Sequence, residues 1–149
     1  MKSSVEQELE ALFARHDCSF EPLVKADLWV PQQRWRETFA KQLHLETGKW
    51  TLSGFDWHTF SHGYYERLSG RPAELRYKEL SAMRYFILGS ELRIDVGYRV
   101  DGALVDLSEF GQDLSVVPEN FEWTMAYTHE LGFGPYFAVA PEFTDETDA

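Results

Sequence analysis

The chain has 149 residues and a formal net charge of -11, with 14 Lys and Arg against 25 Asp and Glu. That length suits one domain with a real core, and the acidic balance excludes the phosphate-binding surface that a nucleic-acid partner needs. One cysteine, Cys18, excludes an internal disulfide and fits a reducing compartment. No apolar run approaches the roughly 20 residues of a membrane helix, and the N-terminus MKSSVEQELEAL lacks the apolar core of an export signal. These features predict a cytoplasmic protein with neither nucleic acid nor membrane as partner.

Val5, Leu9, Leu12 and Phe13 fall on one face at helical spacing, with glutamates elsewhere, which predicts a helix from Ser3 to His16. Asp17 to Lys25, containing Pro22, reads as a connector. A second helix is expected to open at Pro31, whose missing N–H suits the first helical position. It carries Trp35, Phe39 and Leu43 on one face and ends before Gly48. Trp50 to Ser61 admits two readings. Its β-branched and aromatic residues suggest a strand, while Ser53 with Asp56 resembles a capping box, and Trp57, Phe60, Tyr64 and Leu68 would share a helical face. The strand reading is taken for 57–60. A short helix from Pro72 to Leu80 follows Gly70.

From Met83 the pattern turns to β. Arg84 to Leu88 reads as a dense, central strand, and Leu92 to Tyr98 alternates as a half-exposed one. Asp101-Gly102 signals a turn. Leu114 to Val117, Phe121 to Thr128 and Tyr136 to Val139 read as the closing strands. Helices first, strands afterwards and short connections predict an α+β fold, with N-terminal helices covering one face of a four- or five-stranded, largely antiparallel sheet. Residues 1–141 read as a single domain and 142–149 as a disordered acidic tail.

Two constellations carry candidate chemistry. The first gathers Trp57, His58, Thr128, His129 and Glu130. His58 and His62 could share a metal on a helix, where i and i+4 side chains stand about 6 Å apart. On a strand four steps of roughly 3.3 Å put them about 13 Å apart. The H-E-x-x-H signature is absent after His129, so no metal or cofactor is expected. The plainer reading of Thr128-His129-Glu130 is turn chemistry, with side chains bonding local backbone. The second constellation is an acidic ridge of Tyr98, Asp101, Asp106, Glu109, Phe110 and Asp113. Its exposed aromatics would anchor a basic protein steered in by charge. Residues 76–149 hold 14 of the 25 acids and only 5 of the 14 bases, which places most of the excess charge in this half. No nucleophile elbow, P-loop or dinucleotide fingerprint occurs.

Phe55, Trp57, His58, Phe60 and Ser61 form an F-x-W-H-x-F-S element. Phe121, Trp123, Thr124, Thr128, His129 and Glu130, with Gly134, Pro135, Tyr136 and Phe137, form a second of the kind F-x-W-T-x-x-x-T-H-E followed by G-P-Y-F. With these elements, across roughly 29–138, the chain resembles a small bacterial family of unknown function. The resemblance implies a common fold and size without a chemistry. It also implies that Trp57, His58, Thr128, His129 and Glu130 meet in space.

Three functions remain open on these residues. The leading one is a protein-binding module of immunity or inhibitor type, with a basic protein as partner. The alternative is a small metal-dependent or acid/base hydrolase using the His/Glu cluster. The third is a structural domain in which that cluster only holds the fold together.

Overall fold

The computed structural model describes residues 4–51, 57–81, 83–89, 97–130 and 134–143. Among them the helices are α1 (Ser4–Arg15), α2 (Lys25–Phe39), α3 (Lys41–Thr47), α4 (His58–Ser61) and α5 (Arg71–Lys78). The strands are β1 (Ser19–Pro22), β2 (Leu68–Ser69), β3 (Met83–Gly89), β4 (Gly97–Gly102), β5 (Leu114–Pro118), β6 (Trp123–Tyr127) and β7 (Tyr136–Val139), and a single 3-10 turn follows at Pro141–Phe143. All seven strands join one sheet in the order β1-β4-β3-β5-β6-β7-β2, and every neighbouring pair is antiparallel.

The α+β class is as expected, but the strand count is higher, because two short edge strands escape a pattern search. β1 lies inside the supposed connector and all four of its residues are exposed, so no alternation marks it. Its ladder comes instead from β4, with Phe20 opposite Val100. Pro22 ends this edge strand, where a missing N–H costs least. β2 has only two residues.

Helices cover both faces of the sheet, not one. Alternation along β6 sorts them. Trp123, Met125 and Tyr127 point into a core shared with Leu9, Leu12 and Phe13 of α1 and with Ala73 and Tyr77 of α5. Ala126 points the other way, into a core built by Leu28, Trp35 and Phe39 of α2 and Phe60 of α4. Thr124 faces the same side, where its hydroxyl accepts from Trp35 Nε1 at 2.8 Å and donates to the Val116 carbonyl at 3.0 Å.

α2 starts six residues before Pro31, so the proline sits inside the helix. Leu28, Pro31, Gln32, Trp35 and Phe39 form one buried stripe. Burying such large side chains at roughly 1.5–3 kcal/mol each outweighs the ~3 kcal/mol cost of an interior proline. The helix expected to run on to Gly48 breaks at Ala40 into α2 and α3; α3 ends at Gly48, whose φ of 76° is the left-handed cap that glycine adopts most readily. Residues 57–60 are not a strand: Trp57 leads into the single turn of α4, the helical alternative. The proposed capping box, Ser53 with Asp56, lies outside the described residues, as does most of the expected strand from Leu92. Asp101-Gly102 closes β4 instead of forming a turn. The tail boundary expected at 142 falls within the 3-10 turn, and 144–149 lie outside the described residues.

Residues 103–107 have no strand partner, yet Val105 and Leu107 are buried while Asp106 faces out. Tyrosines stand in for the missing neighbour. Tyr85 donates its hydroxyl to the Ala103 carbonyl at 2.8 Å, and Tyr77 donates to that of Val105 at 2.7 Å. The Tyr85 oxygen also takes a backbone hydrogen bond from Val105, and the Tyr127 oxygen one from Leu107. Cys18, expected in a polar loop, is buried beside this segment, 3.4 Å from the Ala103 oxygen, and burial pushes its thiol pKa up. Gly102 is required there: at φ 144° a Cβ would stand 3.0 Å from the Cys18 sulfur.

Candidate functional site

β5 and β6 pair with Leu114 opposite Tyr127. Continuing that register by one step brings Asp113, just before β5, against Thr128 and His129, just after β6. At the same end of the sheet Trp57 packs down from the second layer, its ring 6.4 Å from Tyr136 and nearly parallel to it.

These elements converge on the Asp113 carboxylate, whose side chain is only 4% exposed. Oδ1 accepts from Trp57 Nε1 at 2.9 Å and from the His129 backbone N–H at 2.8 Å. His129 Nδ1 stands 2.8 Å from both Oδ1 and Oδ2. Three donors around one carboxylate are what a buried negative charge requires. An ionised carboxylate can only accept, so the arrangement places a proton on Nδ1 and turns Nε2 outward. Glu130 Oε1 lies 3.6 Å from Nε2, too long for a strong hydrogen bond. The His129 side chain is 29% exposed, so one edge of the imidazole meets solvent and the other is clamped.

Of the expected cluster, Trp57 and His129 lie with ring centroids 6.1 Å apart, and His58 stands edge-on to Trp57 at 4.4 Å. Glu130 joins through Nε2. Thr128 turns its hydroxyl to the Glu130 carbonyl at 3.0 Å, the local turn bond anticipated for it. His58 and His62 share a helical turn with ring centroids 4.9 Å apart. Among the described residues no group of three or more His, Cys, Asp or Glu side chains is arranged to hold a metal ion.

The acidic ridge is corrected. Tyr98 is 1% exposed, and its hydroxyl donates to Glu10 at 2.8 Å. Phe110 is partly buried against the core. Neither aromatic is the exposed anchor expected, because β4 lies inside the sheet between β1 and β3 and the following segment folds back over the core. Asp101 is exposed and 3.4 Å from Arg84, Asp106 accepts from the Ser108 N–H at 2.9 Å, and Glu109 is exposed. Asp113 leaves the ridge and becomes the centre of the other cluster. The signal that could have reassigned it was the hairpin register, since 113 faces 128 wherever 114 faces 127.

Fold and site together define an α+β protein whose sheet, covered by helices on both faces, carries at one end a buried aspartate paired with a partly exposed histidine. The chain belongs to the family described as Domain of unknown function (DUF4275), whose model matches residues 23–137. The match contains Trp57, Asp113, His129 and Glu130 and begins after α1 and β1. No curated protein and no solved structure shows significant similarity to the chain. Among the described residues no helix is long and apolar enough to cross a membrane.

Proposed function

We propose that the protein is an acid/base catalyst in which His129 moves the proton and Asp113 positions the imidazole. The observation that carries this reading is the carboxylate of Asp113, buried and within 2.8 Å of Nδ1 through both oxygens. Such a pair suits hydrolysis of a small ester or phosphoester by water. Nε2 takes a proton as the water attacks and returns it to the leaving oxygen. Asp113 keeps the ring in one tautomer and stabilises the imidazolium, with Glu130 adding negative potential from the solvent side. Trp57 holds the carboxylate in place by its indole N–H.

The test is a panel of p-nitrophenyl acetate, p-nitrophenyl phosphate and bis(p-nitrophenyl) phosphate. The wild-type protein is expected to exceed the buffer rate on at least one of them. His129→Ala is expected to lower that rate by about 10²-fold or more, the usual contribution of general acid/base catalysis. A His129→Ala variant as fast as wild type overturns the reading.

A cationic protein partner is the second reading. It is supported by the net charge of -11 and by Trp29 and Val30 of α2, which are 58% and 61% exposed. The unpaired Cys18 thiol supports a cytoplasmic setting for either reading. A complex captured at low salt is expected to weaken as salt rises and to weaken further with Trp29→Ala. Binding indifferent to both changes would refute it.

A further inference from the structure

A cavity of about 870 Å³ shares no residue with the His129 cluster. It lies where the sheet runs out. β2 is two residues long and pairs only with Phe137 and Tyr136, so the chain diverges from β7 just as Ala138 and Val139 begin to line the cavity. The Tyr65 hydroxyl closes the floor by donating to the Val139 carbonyl. α2 and α3 supply the opposite wall through Thr38, Lys41 and Leu45.

Two observations define its chemistry. The first is apolar surface that faces the cavity instead of the core. Leu45 and Leu68 are 67% and 42% exposed, and both line it. The second is cationic charge. Arg76 is engaged, 3.8 Å from Glu79 and over the Phe137 ring at 5.5 Å. Lys41 and Arg67 line the same cavity and make no ion pair among the described residues. Glu37, Glu66 and Glu142 also line it, so the local charge is balanced and long-range attraction contributes little. What the site offers an anion is direct contact: a forked guanidinium and an ammonium at the mouth of an apolar cleft whose volume falls in the range of small-molecule sites.

We propose that this cavity binds a small amphipathic organic anion, a carboxylate or sulfonate carried on an apolar body. The apolar body lies between Leu45, Leu68 and the edge of β7, and the anionic head reaches Lys41 and Arg67. No step of the His129 chemistry enters this proposal, and either can fail alone.

The probe is 1-anilinonaphthalene-8-sulfonate, whose fluorescence rises on transfer to an apolar site. Saturable binding of about one probe per chain is expected, with displacement by decanoate and none by decyltrimethylammonium at the same concentration. Arg67→Ala and Lys41→Ala are each expected to weaken probe binding by about tenfold, as loss of a charge-assisted contact does. Arg84→Ala, at the Asp101 pair on another part of the sheet, is expected to leave it unchanged. Near-UV circular dichroism separates these effects from loosened packing, which also attracts the probe. Absence of saturable binding, equal displacement by the cationic amphiphile, or unchanged affinity in both cavity variants overturns the proposal.

Discussion

Replacing Asp113 by alanine is expected to cost about 3–5 kcal/mol of folding stability, a large share of the roughly 5–15 kcal/mol that holds a domain together. The effect exceeds that of an ordinary surface acid because the carboxylate is the shared acceptor for Trp57 Nε1, the His129 N–H and the His129 ring. With alanine the indole and amide donors lose their partner at a buried site, at about 1–3 kcal/mol each. Trp57 also bridges layers, since its ring stacks on Tyr136 of β7. Urea denaturation followed by tryptophan fluorescence at neutral pH measures the difference. A midpoint shift worth less than about 1 kcal/mol would show that the junction between α4 and the sheet is held by packing alone.

Alkaline unfolding is expected to be steep. Burial pushes the pKa of Tyr77, Tyr85, Tyr98 and Tyr127 above the ordinary value, and the negative Glu10 carboxylate raises that of Tyr98 further by accepting its hydroxyl hydrogen bond. Half-buried Tyr65 is pushed up to about 12 by the same loss of solvation. All these folded values are raised, so the stability they contribute is fully present below pH ~10, where unfolded tyrosine is still neutral. It is lost as pH rises through the window from about 10 upward, because the unfolded chain then releases protons that the folded chain retains. Each phenol contributes a slope of about 1.4 kcal/mol per pH unit, roughly 5 for the four core tyrosines. The 295 nm absorbance of these phenols is therefore expected to rise together with loss of far-UV dichroism. Phenols that ionise gradually, well before the fold is lost, would contradict this.

α1 and α5 were legible from the sequence, and so were β3, β5, β6 and β7, whose apolar runs are buried along most of their length. α1 exposes its pattern in Leu9, Leu12 and Phe13, and β6 and β7 in alternating residues of a dense aromatic run. β1 and β2 were not legible, since exposed edge strands owe their pairing to a distant ladder and not to their own composition. α2 misled through Pro31, a local start signal overridden by the buried stripe on either side of it. Three of the four residues of the site could be read. Trp57, His129 and Glu130 stood out as chemically rich residues in two aromatic segments, but Asp113 was hidden in a run of acids, among which only burial distinguishes it. Residue type announces an imidazole, whereas the carboxylate that orients it is chosen by register.

The tyrosines around residues 103–107 give this stretch a property that its loop-like sequence conceals. A segment with no strand to zip onto is normally free to slide or to accept an extra residue. Here three phenols, from α5, β3 and β6, act as fixed pegs spaced along it. Moving the chain by one residue would swing Val105 and Leu107 outward and Asp106 inward, and would present the pegs with the wrong backbone groups. Alignment is thus specified by side chains on three separate elements. Insertions here should be tolerated no better than insertions in the middle of β3, although nothing in the local composition warns of it.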